Sequence, residues 1–246
     1  MKRIIIILIF MAALIPANNL RAQWKMCVHE DTTVTEFDVL DIIEIDFYKL
    51  IFNDDFESYA AGSWPSIWIA DGNGTDGATN YIDDTIYYSG SKSLKLFGTI
   101  GGCWAAIAYR EISVMAPFQI EVKVRNGDET LYGCHPHAAY IGLRKGTSWT
   151  NPARGLILFD GAGSIRSNGS STGAVLESGY SNLTWYTVRI LYERPSPTEV
   201  RISYWINGVP KGSETLLAIA EEDLLTNLEL SAAEGTVWFD DVKVIK

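Results

Sequence analysis

The chain has 246 residues, 47% of them hydrophobic, which is enough apolar surface for a packed core and excludes a disordered polymer. Twenty basic residues against thirty acidic ones leave a formal net charge of -10, so the chain lacks the basic surplus that binding to a phosphate backbone requires. Its 21 glycines, 12 tyrosines and 8 tryptophans point to strands and turns rather than long helices.

In chain order, Lys2 and Arg3 precede the apolar run Ile4 to Ile15, which ends at Pro16. A basic start followed by an apolar stretch too short to span a bilayer is the pattern of an export signal, here residues 1–22 with Ala22 before the cut and Ala17 as a rival. An uncleaved anchor is the alternative. Removing the segment takes Lys2, Arg3 and Arg21 with it, leaving 17 basic residues against 30 acidic ones, a net charge of -13. No second apolar stretch reaches membrane length, so no membrane span is expected in the secreted, extracellular product. Of the three cysteines, Cys103 and Cys134 could pair across neighbouring strands and leave Cys27 free, or all three could be buried thiols.

Residues 23–49 read as an N-terminal extension and leading strand, with a β-prone run from Val39 to Phe52. Strands are expected over Ile82 to Tyr88, Ser93 to Gly98 and Trp104 to Ile112, and the run from Phe118 to Arg125 alternates apolar and polar residues without a fault. Ala138 to Leu143 and Gly155 to Phe159 lack alternation and read as strands buried on both faces. Trp185 to Glu193 and Thr198 to Ile206 form another pair. Asn207-Gly208 then predicts a tight turn, because both residues tolerate positive φ. Leu216 to Asn227 is the one stretch open to a short helix, and Leu228 to Ala232 and Thr236 to Ile245 close the chain as strands. The spacing predicts an all-β protein, one antiparallel two-sheet β-sandwich or jelly roll over residues 50–246.

Three motifs recur in a meaningful order: Asp54-Asp55-Phe56-Glu57, then Ser89-Gly90-Ser91-Lys92-Ser93-Leu94-Lys95-Leu96, then Val237-Trp238-Phe239-Asp240-Asp241-Val242-Lys243-Val244. With Trp185-Tyr186-Thr187-Val188 and Trp205-Ile206-Asn207-Gly208 between them, the chain resembles the laminin G-like and concanavalin A-like lectin/glucanase superfamily and jelly-roll carbohydrate-binding modules. That resemblance implies fold more firmly than function, since such sandwiches host lectins, hydrolases, lyases and adhesion modules. It also implies neighbouring first and last strands and a structural calcium ion, with Asp55, Glu57 and Asp241 as oxygen donors and backbone carbonyls completing the shell. The alternative is that these acids are solvated turn and cap residues. The loop from Asp71 to Gly77 lacks the glutamate that an EF-hand pattern needs and reads as a plain loop.

A sugar site pairs an exposed aromatic face with a few polar groups. Strand phase puts Trp205 on the polar face with Arg201 and Ser203, opposite Val200, Ile202, Tyr204 and Ile206. By similar alternation Trp104 shares a face with Arg110, and Tyr140 stands opposite Ile141 and Leu143. Trp149, between Ser148 and Thr150, is expected to be exposed. Trp104, Tyr140, Trp149, Arg201 and Trp205 are therefore the candidate glycan-binding residues, while Trp185 and Trp238 are assigned to the core.

Signals for catalysis are thin. Glu44-Ile45-Asp46 begins a retaining-glycosidase pattern, but Tyr48 and Lys49 occupy the closing positions where a second carboxylate is needed. His135-Pro136-His137 lacks an evident partner acid, and a lyase site would need a grouping such as Tyr140, Arg144 and His137 around a groove. Asn73, Asn168 and Asn182 stand in glycosylation sequons, which matter only in a host that modifies exported proteins. The expectation is a secreted protein that binds a polysaccharide or glycoconjugate. The alternatives are a polysaccharide-active hydrolase or lyase, or a non-catalytic surface or adhesion protein.

Overall fold

The computed structural model describes residues 5–10, 24–30, 33–38, 49–75, 77, 79–100, 105–129 and 137–246. They belong to two units, Met1–Tyr48 and Lys49–Lys246. In the first unit, β1 (Ile5–Phe10), β2 (Trp24–Glu30) and β3 (Thr33–Asp38) form an antiparallel sheet in that order. Most of the expected leading strand, residues 39–48, lies outside the described residues.

The described residues of the second unit form fifteen strands: β4 (Leu50–Asp54), β5 (Ile69–Gly72), β6 (Tyr81–Asp83), β7 (Ser93–Gly98), β8 (Ala106–Glu111), β9 (Phe118–Asn126), β10 (His137–Arg144), β11 (Ala153–Asp160), β12 (Ser164–Ser167), β13 (Val175–Ser178), β14 (Trp185–Ser196), β15 (Glu199–Ile206), β16 (Val209–Leu217), β17 (Asn227–Ala232) and β18 (Gly235–Ile245). They make two antiparallel sheets. The seven-stranded sheet runs β13-β12-β11-β10-β17-β8-β5, and the eight-stranded sheet runs β16-β15-β14-β9-β18-β7-β6 with β4 also paired to β18. The expected β-sandwich is present. Among the described residues no helix is long and apolar enough to cross a membrane.

Period-two patterning explains the packing. In β9 the apolar positions Ile120, Val122 and Val124 are fully buried, and β14 lays Val188 and Ile190 beside them in register. Facing them, Ile141, Leu143, Leu156, Ile157, Leu228 and Leu230 fill the inner side of the seven-stranded sheet. Asn207 and Gly208 both have positive φ, 52° and 77°, so the two-residue turn between β15 and β16 forms as its sequence predicts.

The last strand is a spine. β18 pairs with β9 along one side, and along the other with β7 and then β4, so Val242 lies opposite Asp54. A register shift in β18 after Asp240, with Asp241 at φ 46°, marks a bulge at this changeover. The first and last strands of the sandwich are neighbours, as expected, and Phe56 is fully buried just beyond that pairing.

Two expectations need correction. Leu216 to Asn227 is no helix: β16 continues to Leu217, and only one 3-10 turn, Glu222–Leu224, precedes β17. Here Glu222 turns inward, accepting the Ile219 N–H at 2.8 Å and hydrogen bonds from Arg154 and Tyr192 on distant strands. Trp185 is only half-buried and not a core residue either, whereas Trp238 is buried as expected, at 9% exposure, though outside the cluster between the sheets. Register places Tyr81, Lys95, Trp238, Arg125 and Trp185 in one row across five strands, on the outer side of the eight-stranded sheet. Lys95 lies 4.9 Å from the Tyr81 ring centre and Arg125 5.5 Å from that of Trp238, so cations cover aromatic faces that would otherwise meet water. The Trp238 Nε1–H donates to Asp83 at 2.8 Å.

Candidate functional site

The structure separates the candidate glycan-binding residues onto two opposite faces. Arg201 and Trp205 stand on the outer side of the eight-stranded sheet, since Val200, Ile202, Tyr204 and Ile206 fill the core between the sheets. Both are already engaged. The Arg189 guanidinium, opposite Trp205 in register, lies 4.3 Å from its ring centre. Arg201 forms a two-pronged pair with Glu193 at 2.8 and 2.9 Å. The partner that the polar-face tryptophan requires is thus a neighbouring strand's arginine. Trp104 lies outside the described residues.

Tyr140 and Trp149 come together on the outer side of the seven-stranded sheet. Here the register aligns Tyr140, Ser231, Ile107 and Asp71 in one row, and Gly142, Glu229, Tyr109 and Ile69 in the next. The Tyr140 ring lies flat along its own strand over Gly142: a Cβ at Gly142 would come within 2.7 Å of the phenol oxygen, so only glycine admits this pose. Arg144 reaches sideways to Glu229, with Nε to Oε2 at 2.6 Å, and its Nη1 donates to the Trp149 and Asn151 carbonyls at 2.6 and 2.7 Å. The Trp149 N–H in turn donates to Asp71 at 2.9 Å.

These bonds tie the connection between β10 and β11, residues 145–152, to β5 at the far edge, three strands away. The connection therefore crosses the outer side of β17 and β8. Glu229 and Tyr109 are 3% and 0% exposed, whereas Trp149 is 59% exposed. Burial pushes the Glu229 carboxyl above its ordinary value against the pull of Arg144, with Asp71 pushing the same way as burial. Burial, then the Glu229 charge, raises the Tyr109 and Tyr140 phenols, so both are neutral at ordinary pH. The Tyr109 hydroxyl is buried with no hydrogen-bond partner. Chemically, the face offers an anchored aromatic surface above a buried Arg144–Glu229 pair. Of the lyase grouping, Tyr140 and Arg144 lie on this face, and the side chain of His137 lies outside the described residues.

The residues that the resemblance assigns to calcium are engaged by hydrogen-bond donors. Glu57 accepts the Ser91 N–H and hydroxyl, each at 2.7 Å, and the Lys92 N–H at 2.8 Å, which together hold its carboxyl below the usual range. Asp55 caps the Glu57 N–H at 3.2 Å, and Asp241 accepts the Ser89 hydroxyl at 3.1 Å. The Lys92 ammonium donates to the Glu57 and Tyr59 carbonyls, both at 2.8 Å, so a cation of the chain's own occupies carbonyls of the kind a metal would use. Among the described residues no three carboxylate, histidine or cysteine side chains form a group able to hold a metal ion. As arranged, Asp55, Glu57 and Asp241 do not fit a calcium shell. Cys103 and Cys134 lie outside the described residues.

Asp71, Tyr109 and Glu229 escape sequence reasoning. Asp71 reads as a loop residue, and only the pairing of β5 with β8 brings it onto the sheet. Glu229 had a usable signal: it is the one charge between Leu228 and Leu230 in a strand otherwise made of small and apolar residues.

Solved structures share this sandwich. "Cellulose induced protein, Cip1" matches with a TM-score of 0.54 and 18% identity over 78% of this chain and 96% of that one. The carbohydrate esterase vb_24B_21 from the Shiga toxin-encoding bacteriophage phi24B matches with a TM-score of 0.54 and 13% identity, over 81% and 99% of the two chains. Alginate lyase Aly36B matches with a TM-score of 0.51 and 11% identity, over 81% and 96%. No protein-family model and no curated protein sequence matches. At these identities the likeness is one of fold: a jelly-roll β-sandwich of the kind seen in proteins named for carbohydrate chemistry.

Proposed function

We propose that this is an exported glycan-binding protein of the concanavalin A-like superfamily, recognising a polysaccharide on the outer side of its seven-stranded sheet. The observation that carries the reading is Trp149, a large exposed aromatic whose backbone is fixed on one side by Asp71 and on the other by Arg144. An exposed indole held at low entropic cost is what stacking on the C–H face of a sugar ring requires. The names of the structural neighbours support a carbohydrate ligand without choosing between binding and cleavage. The local chemistry favours binding. Arg144 is committed to Glu229 and to two carbonyls, so it is not free to neutralise a uronate carboxylate during elimination, and the phenols beside it are held neutral.

The test is a tryptophan-fluorescence titration of the full chain against neutral, uronate and amino glycans. At least one should give a saturable change, and Trp149→Ala should weaken that binding about tenfold. Silence across the panel removes the reading, and appearance of unsaturated sugar products would convert it to lyase chemistry.

A further inference from the structure

At one end of the sandwich, away from Trp149, residues 127–129 after β9, the β11–β12 turn, the stretch before β14 and the β17–β18 turn line a cavity of about 280 Å³. Its wall carries Asp128, Glu129 and Glu234 together with Asn182 and Tyr180, and no lysine, arginine or histidine among the described lining residues. Glu234 is fully buried, and neither of its carboxylate oxygens has a hydrogen-bond partner. A buried carboxylate without donors is costly, and native structures match such groups with a cation. Glu129 is the better placed of its neighbours, accepting the Thr236 hydroxyl at 2.5 Å.

Two features say what kind of cation. No three of these acids converge on a point that one metal ion could coordinate, so a bare divalent ion would lack its shell. The cavity is also near the small end of ligand pockets, which begin at about 300 Å³, and so has room for one ring-sized group. One wall is aromatic and rigid: the Tyr180 hydroxyl donates to the Asp160 carbonyl at 2.9 Å, and its ring packs edge-on against Phe159 and Tyr186 at 5.3 and 6.3 Å. An aromatic wall beside an unpartnered acid suits a sugar ring that bears a primary ammonium.

We infer that this cavity binds an amino-sugar unit, its ammonium held by Glu234 with Asp128 and Glu129 nearby and its ring against Tyr180. The inference rests on the glycan reading for the ligand's body but not for its charge or its place. Calorimetric titration of the full chain with glucosamine oligomers, N-acetylglucosamine oligomers, glucose oligomers and calcium chloride tests it. Glucosamine oligomers should bind, Glu234→Gln should weaken them at least about tenfold by removing the charge-assisted bond, and Trp205→Ala, at a ring already covered by Arg189, should leave them unchanged. Asp128→Asn, at an exposed position, supplies a second variant should Glu234→Gln fold poorly, and it should weaken binding in the same direction. Equal binding of N-acetylated or glucose oligomers, binding of calcium in their place, indifference to both acid substitutions, loss on Trp205→Ala, or no binding of glucosamine oligomers each overturns the inference. Loss of only this binding, with other glycans still sensitive to Trp149, leaves the recognition face standing.

Discussion

Two buried glutamates bracket β17, Glu222 before it and Glu234 after it, and they could hardly be treated more differently by their surroundings. Glu222 receives the Arg154 guanidinium on both oxygens, the Tyr192 hydroxyl and the Ile219 N–H, and so pins the β16–β17 connection to β11 and β14. Glu234, equally hidden, receives nothing. The same side chain is a fold clamp where the neighbouring strands supply donors. Where they supply none, it is a demand for an outside partner. The aromatics repeat the contrast: Trp205 has its face covered by Arg189, and Trp149 has its backbone anchored and its ring in water.

The largest expected effect breaks the clamp. Glu222→Ala strands the Arg154 charge, and the unfolding free energy should fall by about 3–5 kcal/mol, read from the midpoint of urea denaturation. A loss below about 1 kcal/mol would mean the cluster is solvated and the contrast with Glu234 is lost. Glu234→Met should act with the opposite sign, raising stability by about 1–2 kcal/mol, since it removes an uncompensated buried charge at similar volume. If it destabilises instead, Glu234 has a partner in solution.

The clamp also has a pH signature. Burial raises the Glu222 carboxyl, but the bonds from Arg154, Tyr192 and Ile219 outweigh it and leave the folded value below 4.5. A depressed carboxylate stabilises the fold above its unfolded value, and that contribution is lost as pH falls from about 4.5 through the folded value. The stability gap between the parent chain and Glu222→Gln should therefore shrink as denaturation is repeated at successively lower pH. A gap that widens in acid contradicts the assignment. The smallest effects belong to the aromatics. Trp205→Ala should cost about 0.5–1 kcal/mol in stability and leave glycan affinity alone, whereas Trp149→Ala should change stability by less than about 0.5 kcal/mol while weakening binding.

What could be read from the sequence follows from the range of the interactions. The alternation in β9 and the Asn207-Gly208 turn depend on residues close together, whereas the pairing of the first and last strands was implied only by the resemblance, and both are present in the fold. Arg154 and Glu222 are 68 residues apart, and Arg144 and Glu229 are 85 apart, so neither pair leaves a local mark. Strand phase correctly put Trp205 on the polar face but could not show that Arg189 waits opposite it. The core assignment failed for Trp185, because a row of cations and aromatics lets a bulky ring lie half hidden on an outer face, and the same row buries Trp238 without placing it between the sheets. The calcium expectation met an obstacle of a different kind: Lys92 stands within the Ser89 to Leu96 motif on which the resemblance rests, and its ammonium takes the carbonyls of Glu57 and Tyr59.

The neighbouring strands at the two ends of the sandwich carry a mechanical consequence. Lys49 and Lys246 exchange two backbone hydrogen bonds, at 2.6 and 2.9 Å, and among the described residues β4 pairs with β18 alone. Tension applied between these two residues would load the bonds one after another, like a zipper, rather than all at once in shear. β4 would peel away first and lay Phe52 open to solvent. Because residue 49 leads straight into β4, a pull on the N-terminal segment enters the sandwich through this same seam.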